Sequence, residues 1–203
     1  MTIMKKLLLI AVISVTSIGM CYSGPISYGL KGGINFSNLG GSDWDVNSYY
    51  KTSFHGGLFL DISLLGLVGV ETGAYYSRKG YVDITHIEEG VILQESDYTY
   101  NYIDIPVLLR IKPIPFVSLF AGPQASFFLN QSNVIIDADG NESTDNMEYD
   151  FNAFDFSVVV GTHTNLPFGV FITASFDIGL LPIYADNSKI YNRVIKVSMG
   201  YKF

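Results

Sequence analysis

Eight charged side chains stand singly inside apolar or small-residue runs: Lys31, Asp61, Glu71, Asp104, Arg110, Asp155, Asp177 and Lys196. Asp104 is bracketed by Ile103 and Ile105, Arg110 by Leu109 and Ile111, Asp155 by Phe154 and Phe156, and Lys196 by Ile195 and Val197. Charges of both signs in such surroundings can pair with one another, since an ion taken out of water without a partner is very costly. Five acids facing three bases could instead line a narrow path for ions or protons. On the first reading, Lys31 and Arg110 each contact one or two of Glu71, Asp104 and Asp155. Nucleophilic catalysis needs a base beside a nucleophile, but the three histidines, His55, His86 and His163, fall in different segments. There is no Gly-rich phosphate loop opening a helix and no Cys/His metal spacing. Asp137, Asp139, Asn141 and Asp145 offer oxygen ligands as a calcium loop would, yet Gly140 is not at the sharp-turn position, and Asp139-Gly140-Asn141 also reads as a hairpin tip. These residues point to no enzyme and no cofactor.

The elements that must hold these residues follow from composition and period. Of 203 residues, 48% are hydrophobic, 14% aromatic and only 15% charged, against about 25% charged in an ordinary soluble domain. After the first twenty residues no apolar run approaches the roughly 18 residues of a membrane-spanning helix. Two classes remain: an aromatic-rich soluble β protein, or a transmembrane β-barrel, whose hydrophobicity is spread over alternate positions. A formal net charge of −7 argues against nucleic acid as a partner.

Lys5 and Lys6 precede an apolar stretch from Leu7 to Met20, and Cys21-Tyr22-Ser23 places small residues at a peptidase site. Residues 1–23 are therefore expected to be a cleaved signal peptide and 24–203 a single barrel domain. An uncleaved anchor is the alternative, as is a lipoprotein with Cys21 modified, although Met20 sits where a small residue is expected. Removing residues 1–23 takes away the only cysteine, so no disulfide forms in the mature chain.

Eight stretches alternate with a period of two, over 28–37, 54–64, 68–77, 102–111, 117–127, 154–163, 170–179 and 195–203. In the first, Tyr28, Leu30, Gly32, Ile34 and Phe36 share one face, and Gly29, Lys31, Gly33, Asn35 and Ser37 the other. In every stretch the charged residues named above fall on the polar face, which a membrane barrel turns inward. Connections alternate long and short, with 38–52, 80–97 and 130–150 long, and 65–66, 113–115 and 166–169 short. The long ones carry most of the acids, including Asp43, Asp83, Glu88, Asp97 and Asp139. The expected fold is all-β: an eight-stranded antiparallel up-and-down transmembrane β-barrel, with acidic loops outside and both mature termini in the periplasm. Tyr28, Tyr76, Tyr100, Tyr102, Tyr149, Tyr191 and Tyr201 lie near strand ends and suit an aromatic girdle; a stacking surface for sugar or nucleic acid is the alternative.

GLKGGINFSNL in the first stretch, YIDIPVLLRIK in the fourth, FAGPQASF, DFSVVVGT, FDIGL and the terminal VSMGYKF resemble the PorT-like outer-membrane β-barrel family of Bacteroidetes-type bacteria. The family often has an Arg-Tyr pair where this chain has Ser175-Phe176, so one expected interior cation is missing. The resemblance implies a non-enzymatic barrel in the cell outer membrane, surrounded by outer-membrane lipid. For some members it implies a role in protein secretion or envelope assembly with a protein complex. Tyr201 and Phe203 match the terminal pattern read by the barrel-insertion machinery. Two other readings remain open: a surface-binding or adhesion barrel acting through its loops, and a soluble lipocalin-like carrier with the apolar face turned inward.

Overall fold

The computed structural model describes residues 26–44, 48–64, 67–87, 91–114, 116–137, 142–144, 151–184 and 188–203. The expected signal peptide, Cys21 and Tyr149 lie outside these residues, as do Asp139, Asn141 and Asp145 of the calcium expectation. Asp137 ends a strand.

The alternating stretches form β1 (Ile26–Gly40), β2 (Ser48–Ser63), β3 (Val68–Ile87), β4 (Val91–Ile114), β5 (Val117–Asp137), β7 (Phe154–Asn165), β8 (Val170–Gly179) and β9 (Tyr191–Lys202). A three-residue strand, β6 (Glu142–Thr144), pairs only with the outer part of β5. Around the wall the order is β4-β3-β2-β1-β9-β8-β7-β5, and β4 also pairs with β5, so eight antiparallel strands close on themselves. Closure leaves no strand edge unpaired in lipid.

The expected faces hold. Leu30, Leu58, Val107, Leu109, Leu119 and Met199 point outward, each about half or more exposed, while Asp61, Glu71, Asp104, Arg110, Asp155 and Asp177 are buried within. A soluble carrier needs the reverse, so that reading is overturned. Room inside is allotted by glycine: a Cβ on Gly200 would lie 2.1 Å from the Phe171 ring, and one on Gly161 2.5 Å from that of Phe120. Inward aromatics thus lie over inward glycines.

Two expectations need correction. Most of the 80–97 connection and the first part of the 130–150 connection are strand, because β3 and β4 stay paired as far as Ile87 and Val91, and β5 runs on to Asp137. Acid-rich sequence had read as loop, but a ladder continuing beyond the membrane tolerates acids on faces open to water. Tyr100 and Tyr102 are not girdle residues. The period of two runs unbroken along this part of β4, so both rings share the inward face with Asp104 and are buried inside. Tyr28, Tyr76 and Tyr201 do face outward, with Tyr28 5.7 Å and Tyr201 5.4 Å from Phe203, and Tyr76 6.0 Å from Phe54.

Candidate functional site

The interior charges assemble into two clusters at different depths. Near the short turns, Arg110 on β4 donates to Asp61 on β2 and lies 3.7 Å from Glu71 on β3. Lys31 on β1 pairs with Glu71, and Lys202 on β9 donates to Asp61 at 3.2 Å. His163 Nδ1 is 3.5 Å from Arg110, and its ring stacks on Phe171 at 4.6 Å.

Nearer the loop end, Asp104 on β4 accepts from Lys79 on β3 and from Lys196 on β9, both at 2.9 Å, and from Ser126 on β5 at 2.6 Å. Lys196 also pairs with Asp177 at 2.7 Å, and Gln124 donates to Asp177 at 3.2 Å. Asp155 accepts from Asn192 at 2.8 Å and has no ion pair among the described residues. Contacts therefore run from Lys31 and Arg110 to Glu71, and from Arg110 to Asp61, but not from either base to Asp104 or Asp155.

Three participating lysines fell outside the sequence-derived set. Lys79 continues the inward parity of β3 beyond Ser77, Lys202 continues that of β9, and Lys51 pairs with Asp97 above the upper cluster. Asp97 is thus an ion-pair partner and not part of a solvated loop fringe. With Lys79 and Lys202 counted, Asp61, Glu71, Asp104, Asp155 and Asp177 face Lys31, Lys79, Arg110, Lys196 and Lys202. The excess of acid that motivated an ion path disappears.

Between the clusters lies a cavity of about 30 Å³ bordered by His55, Tyr75, Ser198, Lys196 and Asp177. His55 contacts Ser198 Oγ at 2.8 Å through Nε2 and Asn35 Oδ1 at 2.7 Å through Nδ1. Ser198, His55 and Asn35 have the connectivity of a nucleophile, base and orienting group. All three are buried, and the space beside them admits roughly one or two waters. An acyl substrate has no room to enter, so the trio serves as a satisfied polar layer.

Above the upper cluster the mouth is filled by Leu39, Tyr81, Tyr100, Tyr102 and Ile183, with Trp44, Phe128, Phe151 and Tyr184 packed against them. Tyr81 stacks on Tyr98 at 4.7 Å and meets Trp44 edge-on at 4.6 Å. Burial pushes the Tyr81 hydroxyl well above its usual titration range, so it stays neutral. Beside the mouth, Asp43 Oδ2 accepts the Lys189 backbone N–H at 2.9 Å, which, with the Ser42 hydroxyl, holds the carboxyl below its ordinary range. No group of three or more His, Cys, Asp or Glu able to hold a metal occurs among the described residues.

The chain is similar in structure to Neisserial surface protein A, at 11% identity over 87% of this chain and 97% of that one, with a TM-score of 0.53. It is also similar to Ail, the attachment invasion locus protein of Yersinia pestis, at 16% identity over 87% and 98%, with a TM-score of 0.48. A de novo designed transmembrane β-barrel matches at 9% identity over 90% and 98%, with a TM-score of 0.42. No curated protein sequence matches. The family described as outer membrane protein beta-barrel domain matches residues 20–185. With most of its length matched and eight strands closed around a polar interior, the chain belongs to the outer membrane protein beta-barrel domain family.

Proposed function

We propose that this is a non-enzymatic barrel that acts through protein partners at its loop end, as an accessory in secretion or envelope assembly of the kind the PorT-like resemblance implies. Residues 1–23 are removed as a signal peptide, the loop end faces outward, and the short turns and termini lie in the periplasm. One observation carries the proposal: the described interior is occupied by matched charges and capped by aromatic rings. A filled interior supports action through the loop end and the outer wall in place of transport or catalysis. Outward-facing Tyr201 and Phe203 at the end of β9 suit the role of an insertion signal.

Crosslinking in intact cells followed by detergent purification tests this reading. A stable co-purifying envelope complex is expected, and recovery of the barrel alone would contradict it. The second reading, a surface-binding barrel, is favoured by Tyr49 and Tyr50, 52% and 55% exposed on the loop-end extension of β2. In that case deleting residues 130–150 abolishes attachment and leaves secretion intact.

A further inference from the structure

The strands do not end level at the loop end. β1 stops at Gly40 and β8 at Gly179, while β7 and β9 begin at Phe154 and Tyr191; β3 and β5 run on to Ile87 and Asp137, and β4 begins at Val91. Beyond the last β2–β3 pair, Ser48 with Asp83, β3 and β4 stay paired from Ile84 with Glu95 to Ile87 with Val91. Four further residues at ~3.3 Å each carry this ladder about 13 Å past the start of β2. The wall that closes on itself at membrane depth therefore continues outward as an open sheet with two margins.

The margins differ. On the β5 side the chain covers its own edge, since Glu142–Thr144 of β6 pairs with residues 134–136. On the β3 side, no strand but β4 pairs with residues 84–87 among the described residues. Alternate residues of an antiparallel ladder turn N–H and C=O to each side, so this margin presents backbone donors and acceptors beyond the membrane. Ile84-Thr85-His86-Ile87 is rich in β-branched residues and holds no Lys or Pro, the residues that blunt an edge. The irregularity between Thr85 and His86 puts its extra residue, Leu93, on β4, so the β3 side stays regular. The surroundings are acidic: residues 80–97 hold five acids and 130–150 six, with no Lys or Arg in either, and Lys51 answers one of them, Asp97.

We propose that residues 84–87 accept an extended basic segment of a partner protein as an added strand, on the margin that the chain leaves open. The inference rests on the loop-end reading above and names how a partner attaches there. Main-chain hydrogen bonds hold the added segment, and the acids of the neighbouring segments select for Lys and Arg in it. β6 on β5 is the same arrangement made within the chain.

The test measures binding of an alternating Lys-Val peptide to the full barrel in maltoside micelles, with amide hydrogen exchange of residues 84–87 read alongside. Binding is expected to slow exchange at these amides and to weaken at high salt. Thr85→Lys adds an edge-blunting charge without removing a backbone donor, and should weaken binding about tenfold. An alternating Glu-Val peptide, and a Lys-Val peptide N-methylated at alternate residues, should not bind. Replacing residues 84–95 by an Asn-Gly turn shortens the hairpin above the membrane and should abolish binding; folding of each variant is read from heat-modifiable gel mobility. No binding of the Lys-Val peptide, equal binding of its N-methylated form, binding by the shortened barrel, or binding without added protection at residues 84–87 overturns the proposal. In intact cells, a shortened barrel that still recovers the envelope complex overturns strand addition alone. Strand addition in micelles with no complex recovered from cells supports the edge and contradicts the accessory role.

Discussion

Lys79 of β3 and Asp104 of β4 lie 2.9 Å apart on neighbouring strands, both buried, and Lys196 reaches the other oxygen of the same carboxylate from across the interior. One acid therefore ties together β3, β4 and β9. Asp104→Asn removes the charge that both ammonium groups answer, and breaking a buried pair by deleting one partner costs about 3–5 kcal/mol. Urea-dependent unfolding in lipid vesicles should show a loss of that size.

Asp155 is equally buried but takes an amide donor, Asn192, in place of a cation. Asp155→Asn keeps the shape and leaves no lysine stranded, so the same unfolding measurement should move by less than about 1 kcal/mol. A loss as large as that of Asp104→Asn would mean that an unseen cation depends on it.

The inward alternation was legible because a period of two leaves a charge only one dry place to go in a membrane barrel, and the eight singly placed charges all face inward. Lys79 was missed because the third stretch was ended at Ser77 by the length of a bilayer crossing, whereas β3 runs ten residues further. Tyr100 and Tyr102 were misplaced because nearness to a strand end was read ahead of parity, although both share the inward face of β4 with Asp104. Phe171 faces inward against the polar-in rule because Gly200 opposite it makes room for a ring. The pairing of Ser198, His55 and Asn35 was illegible, since it forms only where the last strand closes against the first two.

Closure of the barrel depends on close approach where the first and last strands meet. A methyl on Gly33 would sit 2.0 Å from the Val197 carbonyl oxygen of β9. Gly33→Ala forces β1 and β9 apart, at a cost of about 1–3 kcal/mol. A reduced fraction of the compact, heat-modifiable band on gels is the expected result.

Leu58 faces lipid near the middle of β2, more than half exposed on the outer wall. Leu58→Arg places a guanidinium in hydrocarbon and should destabilise the folded barrel by about 2–4 kcal/mol in vesicles. The effect should shrink for a residue near the membrane boundary, such as Phe36→Arg.

The Asp43 carboxylate holds the Lys189 amide. Because the folded carboxyl titrates below its ordinary value of 3.8, its contribution is complete above the unfolded value and is lost as pH falls through the lower folded one. The Lys189 amide resonance should therefore titrate with a midpoint below 3.8, and in Asp43→Asn that titration should vanish.

The central claim is a sealed interior, with charges matched in number and the mouth filled by Tyr81, Tyr100, Tyr102 and Ile183. The most direct test is conductance in planar lipid bilayers after insertion of the folded protein. The account predicts no unitary steps above the bare-bilayer baseline at neutral pH. Discrete, reproducible steps that persist when the loops are trimmed by protease would contradict it.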